Sequence, residues 1–218
     1  MTTLFATALI LGAIHSFAPD HMAAIGVFVG RRPQWRSALA IGARWGAGHS
    51  LVILIVGGAL VVTGWRFPEH FTPILERIVG GTLIGLGVLA LLRALRVHGH
   101  LHEHDGVAHW HVHSHRRSER HDHTHHAALG MGMLHGLAGT GALVIALPVA
   151  ATSSAPLALA YLLAFGLGTT VGMAVFGAVA GWVARRGAKR SITLVRATAL
   201  VPAIASIVVG AWWTIAAR

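Results

Sequence analysis

The sequence predicts an all-α polytopic membrane protein: six transmembrane helices arranged as a 3+3 inverted-topology repeat, the first helix broken at Pro19. Three observations lead there. Mean hydropathy is +0.66, with 55% apolar and only 11% charged residues, more apolar surface than a water-soluble core absorbs. Weakly charged apolar runs longer than the ~18 residues needed to cross a bilayer recur along the chain. Finally, the offset that lays Gly132-Met-Leu-His135 on Gly12-Ala-Ile-His15 also lays Ala158-Leu-Ala160 on Ala38-Leu-Ala40, Gly166-Leu-Gly168 on Gly46-Ala-Gly48, and Gly177 on Gly57.

The predicted helices cover 3–29, 37–64, 74–95, 127–149, 156–183 and 193–216. The first lacks the basic flank of a signal peptide and runs straight into His15, Pro19 and Asp20, so it reads as a retained span. The repeat divides the chain into residues 1–95, a His-rich segment 96–126, and residues 127–218. Three helices is an odd number, so the second copy enters the membrane from the opposite side. Such inverted pairs place a substrate site near the midplane, between the halves. Small residues also recur on helix-packing surfaces for steric reasons alone; the constant offset and the coincidence of two membrane histidines favour a true repeat.

Net charge is +10, but its distribution follows the membrane rather than a nucleic acid. Arg31, Arg32, Arg36, Arg93, Arg96, Arg116, Arg117, Arg120, Arg185, Arg186, Lys189, Arg190 and Arg196 fall on one side of the alternating topology; only Arg66, Arg77 and Arg218 fall on the other, and Arg44 lies within a helix. The positive-inside rule makes the first side cytoplasmic, with both termini outside and a multi-pass protein of the cytoplasmic (inner) membrane. The bilayer is therefore the first expected partner, and nucleic acid is not one.

The chain has no cysteine, so a transition metal must rest on imidazole nitrogens and carboxylate oxygens. The densest candidate is His15-Ser-Phe-Ala-Pro19-Asp20-His21. On an unbroken helix His15 and Asp20 are about 140° apart and His21 a further ~100° on, so they do not converge. Pro19 removes a backbone hydrogen bond and clashes with the preceding turn. A helix broken there brings the three together and exposes backbone carbonyls as oxygen ligands. His49, within Gly46-Ala-Gly-His49-Ser50, and His135, the repeat partner of His15, complete the predicted metal set His15, Asp20, His21, His49 and His135. Asp20 serves as a ligand or as the acceptor that fixes a histidine tautomer. A single membrane histidine is as readily a structural group bonded across helices; several in one membrane layer point to ligation.

The central segment carries His98, His100, His102, His104, His109, His111, His113, His115, His121, His123, His125 and His126. That density reads as an accessory metal-binding loop of exchanging sites, able to take nickel, cobalt, zinc or copper, and disordered without metal. No P-loop, His-Glu-x-x-His helix or Ser/His/Asp arrangement outside the loop is present, so the chain reads as no enzyme and not as an ATP-driven pump.

His15-x4-Asp20-His21 followed by Met22-Ala-Ala-Ile25 resembles the His-x4-Asp-His motif of the nickel/cobalt permease family, and Gly48-His49-Ser50 resembles the glycine-histidine-small motif of that family's next helix. Gly136-Leu-Ala-Gly139 is similar to the second-half motif of its UreH-type urease-accessory branch. The related nickel/cobalt efflux proteins share six helices and a His-rich cytoplasmic loop. The resemblance implies that His15, Asp20 and His21 are required for metal uptake. The chain departs from many permeases at Phe17-Ala-Pro19, where they carry an acidic residue two positions before the motif aspartate.

The reading that follows is secondary transport of Ni²⁺ or Co²⁺ as substrate, with no resident cofactor. Its rivals are proton-coupled nickel/cobalt efflux, a membrane metal chaperone for urease or hydrogenase assembly, and a bis-histidine haem redox protein. Nickel-enzyme maturation proteins are the further candidate partners.

Overall fold

The computed structural model describes residues 2–30, 34–64, 68–95, 98–104, 107–113, 124–138, 154–188 and 191–217. Seven α-helices are present among them: α1 Thr2–His15, α2 Pro19–Val29, α3 Trp35–Thr63, α4 Thr72–Leu95, α5 Thr124–Ala138, α6 Ala155–Ala188 and α7 Ile192–Ala216. A single 3₁₀ turn, Glu69–Phe71, precedes α4.

Four helices are long and apolar enough to cross a bilayer: α3, α4, most of α6 and most of α7. The α1–α2 pair, bent by 60°, is a fifth candidate span. The protein is therefore a polytopic helical membrane protein. Of the fourth predicted span, 127–149, residues 139–149 lie outside the described residues, and the described helix there, α5, has 15 residues.

Packing follows the rule for helices in lipid, with small residues inside and large apolar ones outside. On α6, Leu163, Leu167, Val171, Val175 and Val179 recur every fourth position, and all are about half exposed. On α7 the outward stripe is Val201, Ile204, Val208, Trp212 and Ile215. Inside, α3 and α6 run antiparallel and pack chiefly on each other, α1 lies on α6, α5 on α3, and α4 on α7. Gly42 meets the backbone of Met173, and Gly46 meets Thr170 so closely that an added Cβ would lie 2.6 Å from its Cα.

These contacts come in pairs. Gly12 meets the Phe165 carbonyl and Gly132 meets the Trp45 carbonyl; Gly48 meets Leu129 and Gly168 meets Leu9; Gly46 meets Thr170 and Gly166 meets Ser50. Within each pair, the residues that correspond are 120 positions apart. Ser50 and Thr170, themselves 120 apart, face each other with hydroxyl oxygens at 3.2 Å.

The first predicted helix is two helices. α1 ends at His15, and Pro19 is the first residue of α2, where its missing N–H removes nothing that a helix start would use. The break thus lies at Ser16–Ala18, just ahead of the proline. Around the break, Gly12 accepts from the Ser16 amide, Ala13 from the Ser16 hydroxyl, Ile14 from the Phe17 amide and His15 from the Ala18 amide. Low dielectric makes an unpaired backbone group costly, and the compact turn re-satisfies the last carbonyls of α1.

The His-rich segment also differs from the expected disorder. His98–His104 and Val107–His113 pair as antiparallel strands β1 and β2. The physical reason was available: His-x-His alternation has the two-residue period of a strand, and Asp105-Gly106 between the strands is a favoured two-residue hairpin connection. The pairing sets His98 opposite His113, His100 opposite His111 and His102 opposite His109.

Candidate metal centre

Each functional side chain is placed by a distinct element. His15 is the last residue of α1, and Asp20 and His21 occupy the first turn of α2. The 60° bend between them undoes the angular divergence that an unbroken helix imposes. His49 is the central residue of α3, as far from either end of that span as the helix allows. His135 lies on α5, near the end of its described part.

These elements bring His15, His21 and His49 together, with one ligand nitrogen from each within 4.8 Å of the others. The Nε2 atoms of His15 and His49 are 3.2 Å apart. The His21 ring centroid is 4.9 Å from that of His15 and 4.8 Å from that of His49. His135 stands just beyond this trio, its ring 5.8 Å from His21. Its Nδ1 lies 3.2 Å from the Met131 carbonyl, so the Nδ1–H tautomer donates there and leaves the Nε2 lone pair facing inward. Asp20 Oδ1 is 2.9 Å from His21 Nδ1, close enough for ion pairing, though off the direction of a good hydrogen bond.

Burial is nearly complete: Asp20, His21, His49 and His135 are at most 3% exposed. Their hydrogen bonds are not complete. Both ring nitrogens of His21, Nδ1 of His49 and Nε2 of His135 are buried without a hydrogen-bond partner. Several orphaned polar atoms in one dry spot are costly, and a cation ligated through one nitrogen of each imidazole answers part of that cost. The Asp20 carboxylate gives the cluster a negative group, which favours a cation. Glu76, the other carboxylate on a described spanning helix, sits in the second turn of α4, away from this centre.

Of the other predicted histidines, His98, His100, His102 and His104 lie on β1, and His109, His111 and His113 on β2. His125 and His126 fall in the first turn of α5. His115, His121 and His123 lie outside the described residues.

Three surrounding residues were not predicted. Trp45 packs its ring 5.0 Å from His135 and is fully buried. It lies four positions before His49, so the helical period alone would have placed it on the same face. Phe165 covers His15 at 5.5 Å. Thr169 donates to the carbonyls of Gly12 and Phe165, tying α1 to α6 beside the break; it stands 120 positions after His49, the offset that separates His15 from His135.

Comparison with known proteins agrees with a membrane protein. Residues 4–212 match the model of the family described as the cytochrome c biogenesis protein transmembrane region. The urease accessory protein UreH of Bacillus sp. (strain TB-90) is 31% identical over 175 residues, 79% of this chain and 73% of that protein. No solved structure matches. The chain thus belongs to the cytochrome c biogenesis transmembrane-region family and, within reach of that relative, is a UreH-like membrane protein.

Proposed function

We propose that this protein is a secondary transporter carrying Ni²⁺ or Co²⁺ into the cell across the cytoplasmic membrane, through a midplane site built from His15, His21 and His49 with Asp20 and His135 beside them. The observation that carries the reading is the meeting of three imidazoles beside the central residue of a spanning helix, His15 half-buried and His21 and His49 buried with orphaned nitrogens. Ionisable groups at that depth are expensive and mark substrate paths. Three to five nitrogen and oxygen ligands suit nickel and cobalt, and the absence of cysteine disfavours softer ions.

Alternating access would come from two inverted three-helix halves. The paired contacts of Gly12 with Phe165 and Gly132 with Trp45, and the Ser50–Thr170 approach, support that reading, because two halves related by a two-fold axis repeat every interface. The basic loops, the His-rich hairpin among them, are cytoplasmic and both termini lie outside, on the strength of the arginine asymmetry. Inward movement is favoured by a membrane potential worth about 4.6 kcal/mol per divalent ion at 100 mV, and it fits the accessory role in the relative's name. Efflux would need a coupled ion. A haem between His15 and His49 is disfavoured because their 3.2 Å nitrogen separation leaves no space for a macrocycle.

The test is radiolabelled nickel and cobalt flux in proteoliposomes with an imposed potential, negative inside. His15→Ala and Asp20→Asn are expected to lower flux roughly 10- to 100-fold, and wild-type flux in both would overturn the proposed path. A protein that binds nickel but never moves it would instead be a membrane chaperone.

The hairpin makes a separate prediction. Deleting residues 98–126 should lower the number of nickel ions bound per chain while leaving maximal flux within about threefold, because exchanging surface ligands lack the closed geometry of a selective site. Counting bound metal by equilibrium dialysis alongside flux checks this. Loss of transport with the trio intact would place the loop on the obligatory path.

A further inference from the structure

The antiparallel packing of α3 on α6 brings the start of one helix against the end of the other, where Ala38 and the Trp35 backbone close on Gly181. At that end a cavity of about 280 Å³ opens between the two helices, lined by Trp35, Trp182, Arg185 and Arg186. The two tryptophans are 45% and 48% exposed, and each carries a guanidinium: Arg186 lies 4.1 Å over the Trp182 ring, and Arg36 lies 5.3 Å from that of Trp35. Among the described residues, no carboxylate pairs with Arg36, Arg185 or Arg186.

The location and chemistry agree on an occupant. Both helices are membrane spans, so their adjoining ends lie in the headgroup layer, where tryptophan concentrates. A guanidinium resting on an aromatic face keeps its N–H edges open, and that planar fork matches two phosphate oxygens. Unpaired cations above apolar walls need an anion that brings its own apolar tail. An unneutralised cation pair against lipid is otherwise unfavourable. We infer that this cavity is a binding site for the headgroup of an anionic phospholipid, with Arg185 and Arg186 gripping the phosphate and Trp35 and Trp182 flanking the glycerol and first methylenes. The inference rests on the membrane architecture and not on the transport reading.

Native mass spectrometry of the detergent-purified full chain, titrated with phosphatidylglycerol or phosphatidylcholine, tests it. One phosphatidylglycerol should be retained in preference to phosphatidylcholine, and Arg185→Gln with Arg186→Gln together should weaken retention roughly 30-fold, about five- to sixfold per cation lost. Trp182→Phe, which leaves both charges in place, should weaken it a few-fold, and Arg93→Gln, a cation elsewhere among the predicted cytoplasmic residues, should leave it unchanged. Each variant is first shown to have the wild-type melting temperature in phosphatidylcholine nanodiscs; one that fails is replaced by the corresponding lysine variant, which retains charge but not the fork. Equal retention of both lipids, equal loss on Arg93→Gln, or displacement of the lipid by millimolar inorganic phosphate would each overturn the assignment.

Discussion

Replacing His49 by alanine is expected to bring nickel flux to background and to weaken nickel binding by the purified protein more than 100-fold, the largest effect of any single site substitution. His49 is fully buried and stands between the other two members of the trio, with Nε2 3.2 Å from His15 and its ring 4.8 Å from that of His21. Its removal leaves two imidazoles, one of them at the hinge between α1 and α2, and takes away the ligand held by the most regular element. Partners that only orient a ligand account for 10- to 100-fold in affinity; a ligand held rigidly at the centre of the site should account for more. Folding should suffer less, because the side chain's one hydrogen-bond contact among the described residues is that of Nε2 with His15, Nδ1 having none. Isothermal titration with nickel, alongside size-exclusion profiles of variant and wild type, separates the two effects. A well-folded His49→Ala protein with wild-type affinity would remove the trio from the metal path.

The parts of this site that the sequence made legible are those where chemistry and environment conflict. Histidine and aspartate inside apolar spans are costly unless used, which is why His15, Asp20, His21, His49 and His135 stood out before any geometry was known. Convergence of the first three required a break, and proline signalled it. The proline placed the break between His15 and Asp20, where α1 ends and α2 begins, but it could not show that the turn would pair the Ile14 and His15 carbonyls with the Phe17 and Ala18 amides. Where the backbone's hydrogen bonds go is a three-dimensional matter that residue types leave open.

Trp45, Phe165 and Thr169 were missed for a different reason. Each is an ordinary residue for a membrane helix, and only its neighbours give it a role. The hairpin is the converse case. Its alternation was visible, but composition was weighed over period, and a segment rich in histidine was expected to be disordered when its two-residue rhythm and Asp105-Gly106 pointed to paired strands.

The second large effect tests the architecture. Valine at Gly12 or at Gly132 should each cost the protein its stable fold in detergent, lowering the melting temperature steeply and shifting the size-exclusion profile toward aggregate. A Cβ on Gly12 would fall onto the Phe165 carbonyl and within 3.0 Å of the Thr169 amide; a Cβ on Gly132 would fall onto the Trp45 carbonyl and within 2.8 Å of its carbonyl carbon. Overpacking a core typically costs about 1–3 kcal/mol when side chains can shift, but here the obstacle is helix backbone, which can yield only by separating α1 from α6 or α5 from α3. Gly81 and Gly85 on α4 have no atom in range of an added Cβ, so alanine at either should be neutral or stabilise by up to about 1 kcal/mol through helix propensity. Two halves related by a two-fold axis should answer Gly12→Val and Gly132→Val with comparable losses, since each substitution strikes the same interface in its own copy. If Gly132→Val were tolerated while Gly12→Val unfolded the protein, the two interfaces would not be equivalent. The constant offset would then record a shared sequence pattern without a shared structural role, and alternating access by two matched halves would lose its physical basis.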